Sequence, residues 1–552
     1  MSFLQPRADA LVQPEESGAL TKRKALTILL PLIAMIIWCI SLIDARGNYI
    51  GDYGLFSVLP ISYYAAFFLL LGSIYYTSTI KLEGGRRFYT LVLAFQSALL
   101  MVFIFVTPAL LEMTARSAHS WIKYGYADYI VRNSHITQAI WYHNWPLPFI
   151  FTAQFVQVTS MGPIYTPLLL PLIIDVMIFL MVLLIFTKLF TDMKKRFIGL
   201  AFFYLLAWQD QFYYIPQIFA FLIFLLLVYL IHTYLVQFKV KMITTILLLF
   251  AALMLTHLLT AIVIGLHFGL VFLSELVLKK EKLRLKQAKI KYLILVALLV
   301  VIALGWYFFA GDWIRRTIGA MDISSFLILV PEYLSKLTMG SEAHGDLVLI
   351  RMAFSVIVAF IALSGAYIAF EKKHRKSMIL LLAAGITPIF LFVYGVEIVQ
   401  RAYLFCSLPL AVLVAIGLDR KKFFAFIIAF SLFAVPLHIL ATYGNEKVDY
   451  ISPSEIAGAE FVFNHIQRGN IIEGGSSDQG QYVENFFRNN LKYWQKNRDT
   501  MNESYLIYSS SSSNFETWYS GDSAYEQSIQ RVINNFKPDK IYSTKGYEIY
   551  KL

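Results

Sequence analysis

The chain has 552 residues, of which 58% are hydrophobic, 16% aromatic and only 15% charged, with a formal net charge of +12 and a mean hydropathy of +0.63. So few polar residues cannot coat a water-soluble globule of this size, which excludes an ordinary soluble domain and points to a polytopic membrane protein. The charge does not argue for a nucleic-acid partner: residues 444–552 carry −3 and the remainder +15, held mostly in short connectors that face lipid headgroups.

Residues 1–24 form a polar tail with Pro6 and Pro14, ending in Lys22, Arg23 and Lys24. A bilayer core about 30 Å thick takes about 20 apolar residues per helix. On that measure the segment 25–443 contains thirteen runs, at 25–43, 61–80, 88–111, 165–187, 197–208, 216–236, 242–256, 258–278, 292–309, 350–370, 378–396, 402–418 and 423–443. With the N-terminus inside, the inside segments hold 27 basic residues and the outside loops before residue 444 hold 8, as the positive-inside rule requires. An odd number of crossings then leaves 444–552 outside. The first run has basic residues before it but no small-residue cleavage site after it, so it is expected to stay as an anchor. Cys39 and Cys406 both fall within runs, which leaves no disulfide framework and no Cys-rich metal site.

Two runs are short. At 1.5 Å per residue, Phe197 to Trp208 reaches about 18 Å and the run from Met242 about 21 Å. They end in Gln209, Asp210, Gln211 and in Thr256, His257 respectively. Polar residues at such depth are tolerated against protein or water, so Asp210 and His257 are expected to line an outward-opening cavity or to mark a thinned interface. Asp175 lies mid-run, where a carboxylate is costly, and a buried pair with His267 is the favoured explanation. From 444 the composition becomes polar. Glu455–Ile466 reads as a capped helix, Tyr505–Tyr508 and Lys540–Tyr542 as strands, Ser523–Phe536 as a helix and Tyr547–Tyr550 as the return of a hairpin. Ser509–Ser513 is expected to be a loop. Asn502-Glu503-Ser504 matches a glycosylation sequon.

The outside loops carry the chemistry. Loop 112–164 holds Glu112, Arg116, His119, Trp121, Lys123, Asp128, Arg132, His135, His143 and Trp145, followed by an amphipathic stretch from Phe149 to Val158. Aromatic rings interleaved with acids and imidazoles suit a sugar, whose faces stack and whose hydroxyls need polar partners. An interfacial helix carries such aromatics too, and Asp128 with Arg132 and Glu112 with Arg116 stand at ion-pair spacing. Asp44 and Asp52 flank a further loop in which turn chemistry accounts for them equally well. Loop 310–349 contains Arg315, Arg316, Glu332, Glu342 and His344 and is suited to cover a cavity. No compact His/Cys/carboxylate cluster at ligand spacing calls for a metal, although a divalent ion shared between carboxylates and a substrate phosphate is compatible with these residues.

The order of a membrane helix, Glu112 with an Arg and a His close behind, Lys123-Tyr124-Gly125-Tyr126-Ala127-Asp128-Tyr129-Ile130 and Trp141-Tyr142-His143-Asn144-Trp145-Pro146 resembles the first catalytic loop of GT-C-type glycosyltransferases. It is similar in particular to the large members found in archaea. Leu255-Thr256-His257-Leu258-Leu259-Thr260, Glu397 to Arg401, and an outside C-terminal module ending in Lys540-Ile541-Tyr542 and Glu548-Ile549-Tyr550 extend the resemblance over most of residues 88–552. It implies transfer of a sugar from a polyprenyl-phosphate carrier to a glycan, lipid or protein acceptor on the outer face. It makes Glu112 and Asp128 the candidate acids with His119 beside them. Arg116, His143, Trp145, Asp210, His257, Arg401, Asp44 and Asp52 become the candidate substrate contacts, with Arg401 on the carrier phosphate. Where the family commonly has an Asp before the His, this chain has Ala118, so the motif does not fix one catalytic acid.

The reading is an α-helical polytopic membrane protein of about thirteen spans with a small extracytoplasmic α/β domain. Its first rivals are a flippase for lipid-linked saccharides, which needs no base, and a non-catalytic assembly protein.

Overall fold

The computed structural model describes residues 14–47, 50–80, 86–137, 140–208, 213–237, 240–277, 284–309, 339–368, 372–390, 397–465, 471–473, 505–521 and 523–551. Asp210, most of loop 310–349 and the sequon at 502–504 lie outside the described residues. Each of the thirteen expected spans overlaps a helix. These are α1 (Pro14–Ala45), α2 (Ile61–Thr79), α3 (Arg86–Glu112), α6 (Thr166–Leu189), α7 (Met193–Leu206), α8 (Pro216–Gln237), α9 (Val240–Met254), α10 (Leu258–Val277), α11 (Arg284–Phe309), α12 (Glu342–Ile368), α13 (Lys372–Ile386), α14 (Glu397–Gly417) and α15 (Lys421–Tyr443). Among the described residues, seven helices are long and apolar enough to cross a membrane by length and composition, and shorter apolar helices accompany them. The protein is an integral membrane protein. Two further helices, α4 (Ala118–Asn133) and α5 (Leu147–Thr159), occupy the loop between α3 and α6.

Without water to satisfy them, polar groups between spans must find partners inside the bundle. Trp38 donates to Thr107 at 3.0 Å, Tyr63 to the Phe103 carbonyl at 2.9 Å and Gln96 to the Thr27 carbonyl at 3.0 Å, which ties α1, α2 and α3 together. At the centre, α14 is enclosed almost from Leu404 to Leu418. It meets α12 where Gly365 faces Gly417: a Cβ on Gly417 would stand 2.7 Å from the Gly365 Cα, so only the absent side chains let the two backbones approach. Asp175 is fully buried on α6, and among the described residues neither of its carboxylate oxygens has a hydrogen-bond partner. The pair expected with His267 is not formed. The His267 ring stands 6.1 Å from His232 instead, because equal depth on two helices does not make them neighbours.

Beyond α15, a short helix α16 (Glu446–Asp449) leads into α17 (Pro453–His465) and a four-stranded sheet. β1 (Ile471–Glu473) runs parallel to β2 (Tyr505–Ser509), and β4 (Tyr547–Lys551) pairs antiparallel with both β2 and β3 (Asp539–Thr544), in the order β1-β2-β4-β3. Val462 of α17 packs on Ile507, Tyr547 and Ile549 on one face. Ile529, from α19 (Ala524–Phe536), packs on Leu506 and Tyr550 on the other. The serine run is not a loop. Ser510–Ser520 forms helix α18, started by Ser509, whose hydroxyl accepts from the Ser512 amide at 3.2 Å, while the buried Glu455 carboxylate accepts from the Ser511 amide at 2.8 Å. N-capping turns a polar tract into a helix start.

The module sits on the membrane domain through α18. The Ser341 amide donates to the Trp518 carbonyl at 2.9 Å, and Ala343, Leu347, Val448 and Trp518 share one apolar cluster. Gly340 makes this approach at φ 121°, where a Cβ would lie 2.2 Å from the Trp518 carbonyl oxygen. Gly340→Ala is therefore expected to cost about 1–3 kcal/mol. Limited trypsin digestion in detergent should release the C-terminal segment faster from this variant than from the parent chain.

Candidate functional site

The loop after α3 is built by two backbone reversals. Met113 (φ 58°) stops α3 directly after Glu112, and Ser117 (φ 68°) redirects the chain into α4. Both are non-glycine residues in a costly region of backbone space, and both are held from outside the loop. The Thr114 hydroxyl donates to the Ile451 carbonyl at 2.7 Å, and the Ser117 amide donates to the Asp449 carbonyl at 2.7 Å. The segment following the last span thus clamps the loop between α3 and α6.

Arg116 lies in the middle of this clamp. Its Nε contacts the fully buried Glu446 carboxylate, its Nη2 donates to the Thr442 carbonyl at 2.9 Å and stands 3.5 Å from Asp449, and its guanidinium covers the Tyr443 ring at 5.1 Å. Burial opposes the guanidinium's charge, but Glu446, Asp449 and Glu112 around it outweigh that and hold it ionised. The i, i+4 pair of Glu112 with Arg116 gives way to this arrangement, since the reversal at Met113 breaks the helical spacing. Glu112 is 3% exposed and its two oxygens are enclosed, with Glu446 beside it.

Helix α4 and the turn Trp141–Asn144 before α5 present an aromatic group around one cation. Lys123 on α4 is largely buried, its Nζ 3.2 Å from the centre of the Tyr142 ring and 5.5 Å from that of Tyr126. Tyr126 and Tyr142 stack at 5.3 Å. His143 fixes this fold: its Nδ1 accepts from the Thr137 amide at 3.0 Å and its Nε2 stands 3.1 Å from the Tyr126 carbonyl, which sets the neutral tautomer. Burial holds its pKa below the ordinary imidazole value. Asp128 pairs with Arg132 at 2.6 Å; burial raises its carboxyl pKa and Arg132 pulls it back. His119 is exposed in the first turn of α4.

The turn before α5 then leans on the bundle. The Leu147 amide donates to the Leu255 carbonyl at 3.2 Å, and Trp145 packs on Trp306, at the end of α11, at 5.6 Å. Next to Leu255, His257 Nδ1 shares a 2.8 Å hydrogen bond with the Thr260 hydroxyl. Burial and the charge of Arg401, in the first turn of α14, push the His257 pKa down to about 3. Two residues on from Arg401, Tyr403 stacks with Trp208 at 5.1 Å, and Arg351 lies 5.6 Å from the Trp208 ring. Asp44 is exposed at the end of α1. Asp52 is exposed too and pairs with Lys447 at 2.6 Å. Among the described residues no three His, Cys, Asp or Glu side chains are grouped to hold a metal.

No family model matches the sequence, and no curated protein matches it. The fold does find its like among solved structures. ArnT from Cupriavidus metallidurans bound to undecaprenyl phosphate superposes over 85% of this chain and 98% of that chain, with a TM-score of 0.52 and 9% identity. At this identity the likeness is one of fold. The apo state of the same protein matches over the same shares at a TM-score of 0.41.

Of the residues singled out from sequence, the structure places Arg116 with Glu112 in the clamp, His143 under Tyr126, and His257 with Arg401 beside the Trp145 turn. Asp44 and Asp52 stand on the first loop. Glu446 and Asp449, the other half of the clamp, were missed because they follow the last span in what reads as the start of the module. Lys123 stood in a quoted motif, but its partner Tyr142 comes nineteen positions later, and no local spacing points there.

Arg116→Ala leaves Glu446 buried without its counter-charge and is expected to cost about 3–5 kcal/mol. Adding Glu446→Gln should recover part of that loss, read as a thermal double-mutant cycle. Acid should also weaken the fold through His257. An unfolded imidazole takes up a proton below about pH 6.5, whereas the folded one resists to about 3, so the unfolded state binds more protons across that window. Stability then falls as pH drops below 6.5, by about 1.4 kcal/mol per unit from this group, and is unaffected above it. Melting curves of His257→Asn should show the shallower slope.

Proposed function

We propose that the chain is a GT-C-type glycosyltransferase that moves a sugar from a polyprenyl-phosphate donor to an acceptor. The reaction is assigned to the face that carries the module, read as extracytoplasmic from the distribution of basic residues. The observation that carries this reading is the convergence, on an ArnT-like fold, of cations and aromatic rings on that one face: Lys123 against Tyr126 and Tyr142, and Arg401 beside His257. The match to ArnT bound to undecaprenyl phosphate supports a polyprenyl phosphate as the lipid partner.

The chemistry asks for little. A sugar phosphate carries its own leaving group, so the protein must orient or deprotonate an acceptor hydroxyl and neutralise the charge that grows on the departing phosphate. Arg401 suits the second task, since a guanidinium stays charged and holds two phosphate oxygens at once. Lys123 adds a compact charge, and Trp145 with the tyrosines offers faces for a sugar or an isoprenoid. For the first task Asp128 is the acid an acceptor reaches in this conformation, because Glu112 is enclosed in the clamp. Asp44 and Asp52, open to solvent, are the alternative acids.

Mass spectrometry of lipid that co-purifies with the protein is expected to show a polyprenyl phosphate or its glycosylated form. Arg401→Gln should weaken carrier binding about tenfold to a hundredfold. Asp128→Asn should lower turnover by about 100- to 10,000-fold with carrier binding kept. Undiminished turnover in Asp128→Asn moves the base to Asp44 or Asp52, and a chain that binds no polyprenyl phosphate at all overturns the reading.

A further inference from the structure

On the face opposite the module, the ends of α2 and α6 and the starts of α3 and α7 enclose a recess of about 360 Å³. It is lined by Ser78, Ile80, Arg86, Thr191, Asp192 and Met193. One guanidinium, that of Arg86, lines it, and that of Arg196 on α7 lies near enough to feel its charge. Arg86 is exposed and donates through Nη2 to the Thr191 carbonyl at 3.0 Å, and Arg196 donates through Nη2 to the Phe190 carbonyl at 3.0 Å. They are near enough for their like charges to oppose one another, and the Nε of Arg196 is buried with no hydrogen-bond partner among the described residues. Asp192 supplies one negative charge, and its carboxylate already caps α7 by accepting from the Lys194 amide at 2.9 Å. Two like charges held together cost energy unless an anion joins them, and a guanidinium with spare donors is matched to phosphate oxygens.

The position selects the kind of anion. The recess lies where the spans leave the apolar layer, and α3 continues from it along exposed Leu91 and Phe95, a surface that accepts acyl chains. Basic pockets between spans at this level take acidic lipid headgroups. We propose that the Arg86–Arg196 recess binds the phosphate of an anionic glycerophospholipid, separately from the donor site on the module face. Unlike Arg86, Lys421 and Lys422 do not line the recess, although they lie among the same face's charges.

The test uses the full chain in neutral detergent, titrated with phosphatidylglycerol, with phosphatidylcholine of the same acyl chains, or with inorganic phosphate, and followed by thermal unfolding. Phosphatidylglycerol alone should raise the midpoint. Arg86→Gln/Arg196→Gln should weaken that effect about tenfold or more in lipid concentration, while Lys421→Gln/Lys422→Gln keeps it. An equal response in both double variants overturns the proposal, and an equal response to inorganic phosphate overturns its lipid part. Should the arginine variant not fold, native mass spectrometry of the parent chain decides: retention of phosphatidylglycerol over phosphatidylcholine supports the site, and no preference refutes it.

Discussion

A guanidinium taken out of water has to be surrounded by acceptors, and much of the module-side face depends on how Arg116 meets that demand. Its acceptors come from beyond the last span: Glu446, Asp449 and the Thr442 carbonyl. Breaking such a buried pair costs far more than forming it gains, so its value here is geometric. It pins the end of α3, the start of α4 and the root of the C-terminal module to one another. The strained backbone at Met113 and Ser117 persists because this joint over-determines it.

From that joint, position propagates by contact. α4 carries Lys123 into the tyrosine pair, His143 locks the tyrosines through two backbone groups, and the turn that follows rests on Leu255 and Trp306. Arg401 and His257 meet where that turn lands. Two charge patterns therefore divide the protein. On one face cations stand singly among aromatic rings. On the other they are grouped at the headgroup level around Arg86 and Arg196.

The spans were legible because hydrophobicity over some twenty residues is a local signal, and in the module β2, β3, β4, α17 and α19 were legible from short local patterns, whereas β1 and the serine-started α18 were not. Side-chain roles were not, because they depend on partners far along the chain. Glu112 and Arg116 stand at ion-pair spacing, yet one positive φ between them sends the arginine to Glu446. His143 carries the residue type of an acid–base group, and only the fold shows that both its ring nitrogens face backbone groups. Asp175 and His267 share a depth but not a neighbourhood. Asp128 with Arg132 is the case in which the local rule and the fold agree.

Arg116 and Glu446 are separated by 330 positions. At about 5–20 residues per second of synthesis, the arginine waits roughly 15 to 70 seconds before its counter-ion has been made. Through that interval the loop has no acceptor for its charge and stays in contact with water. A nascent chain thus acquires the geometry of its working face only when translation has passed the last span, so a chain released early keeps its helices and lacks that face.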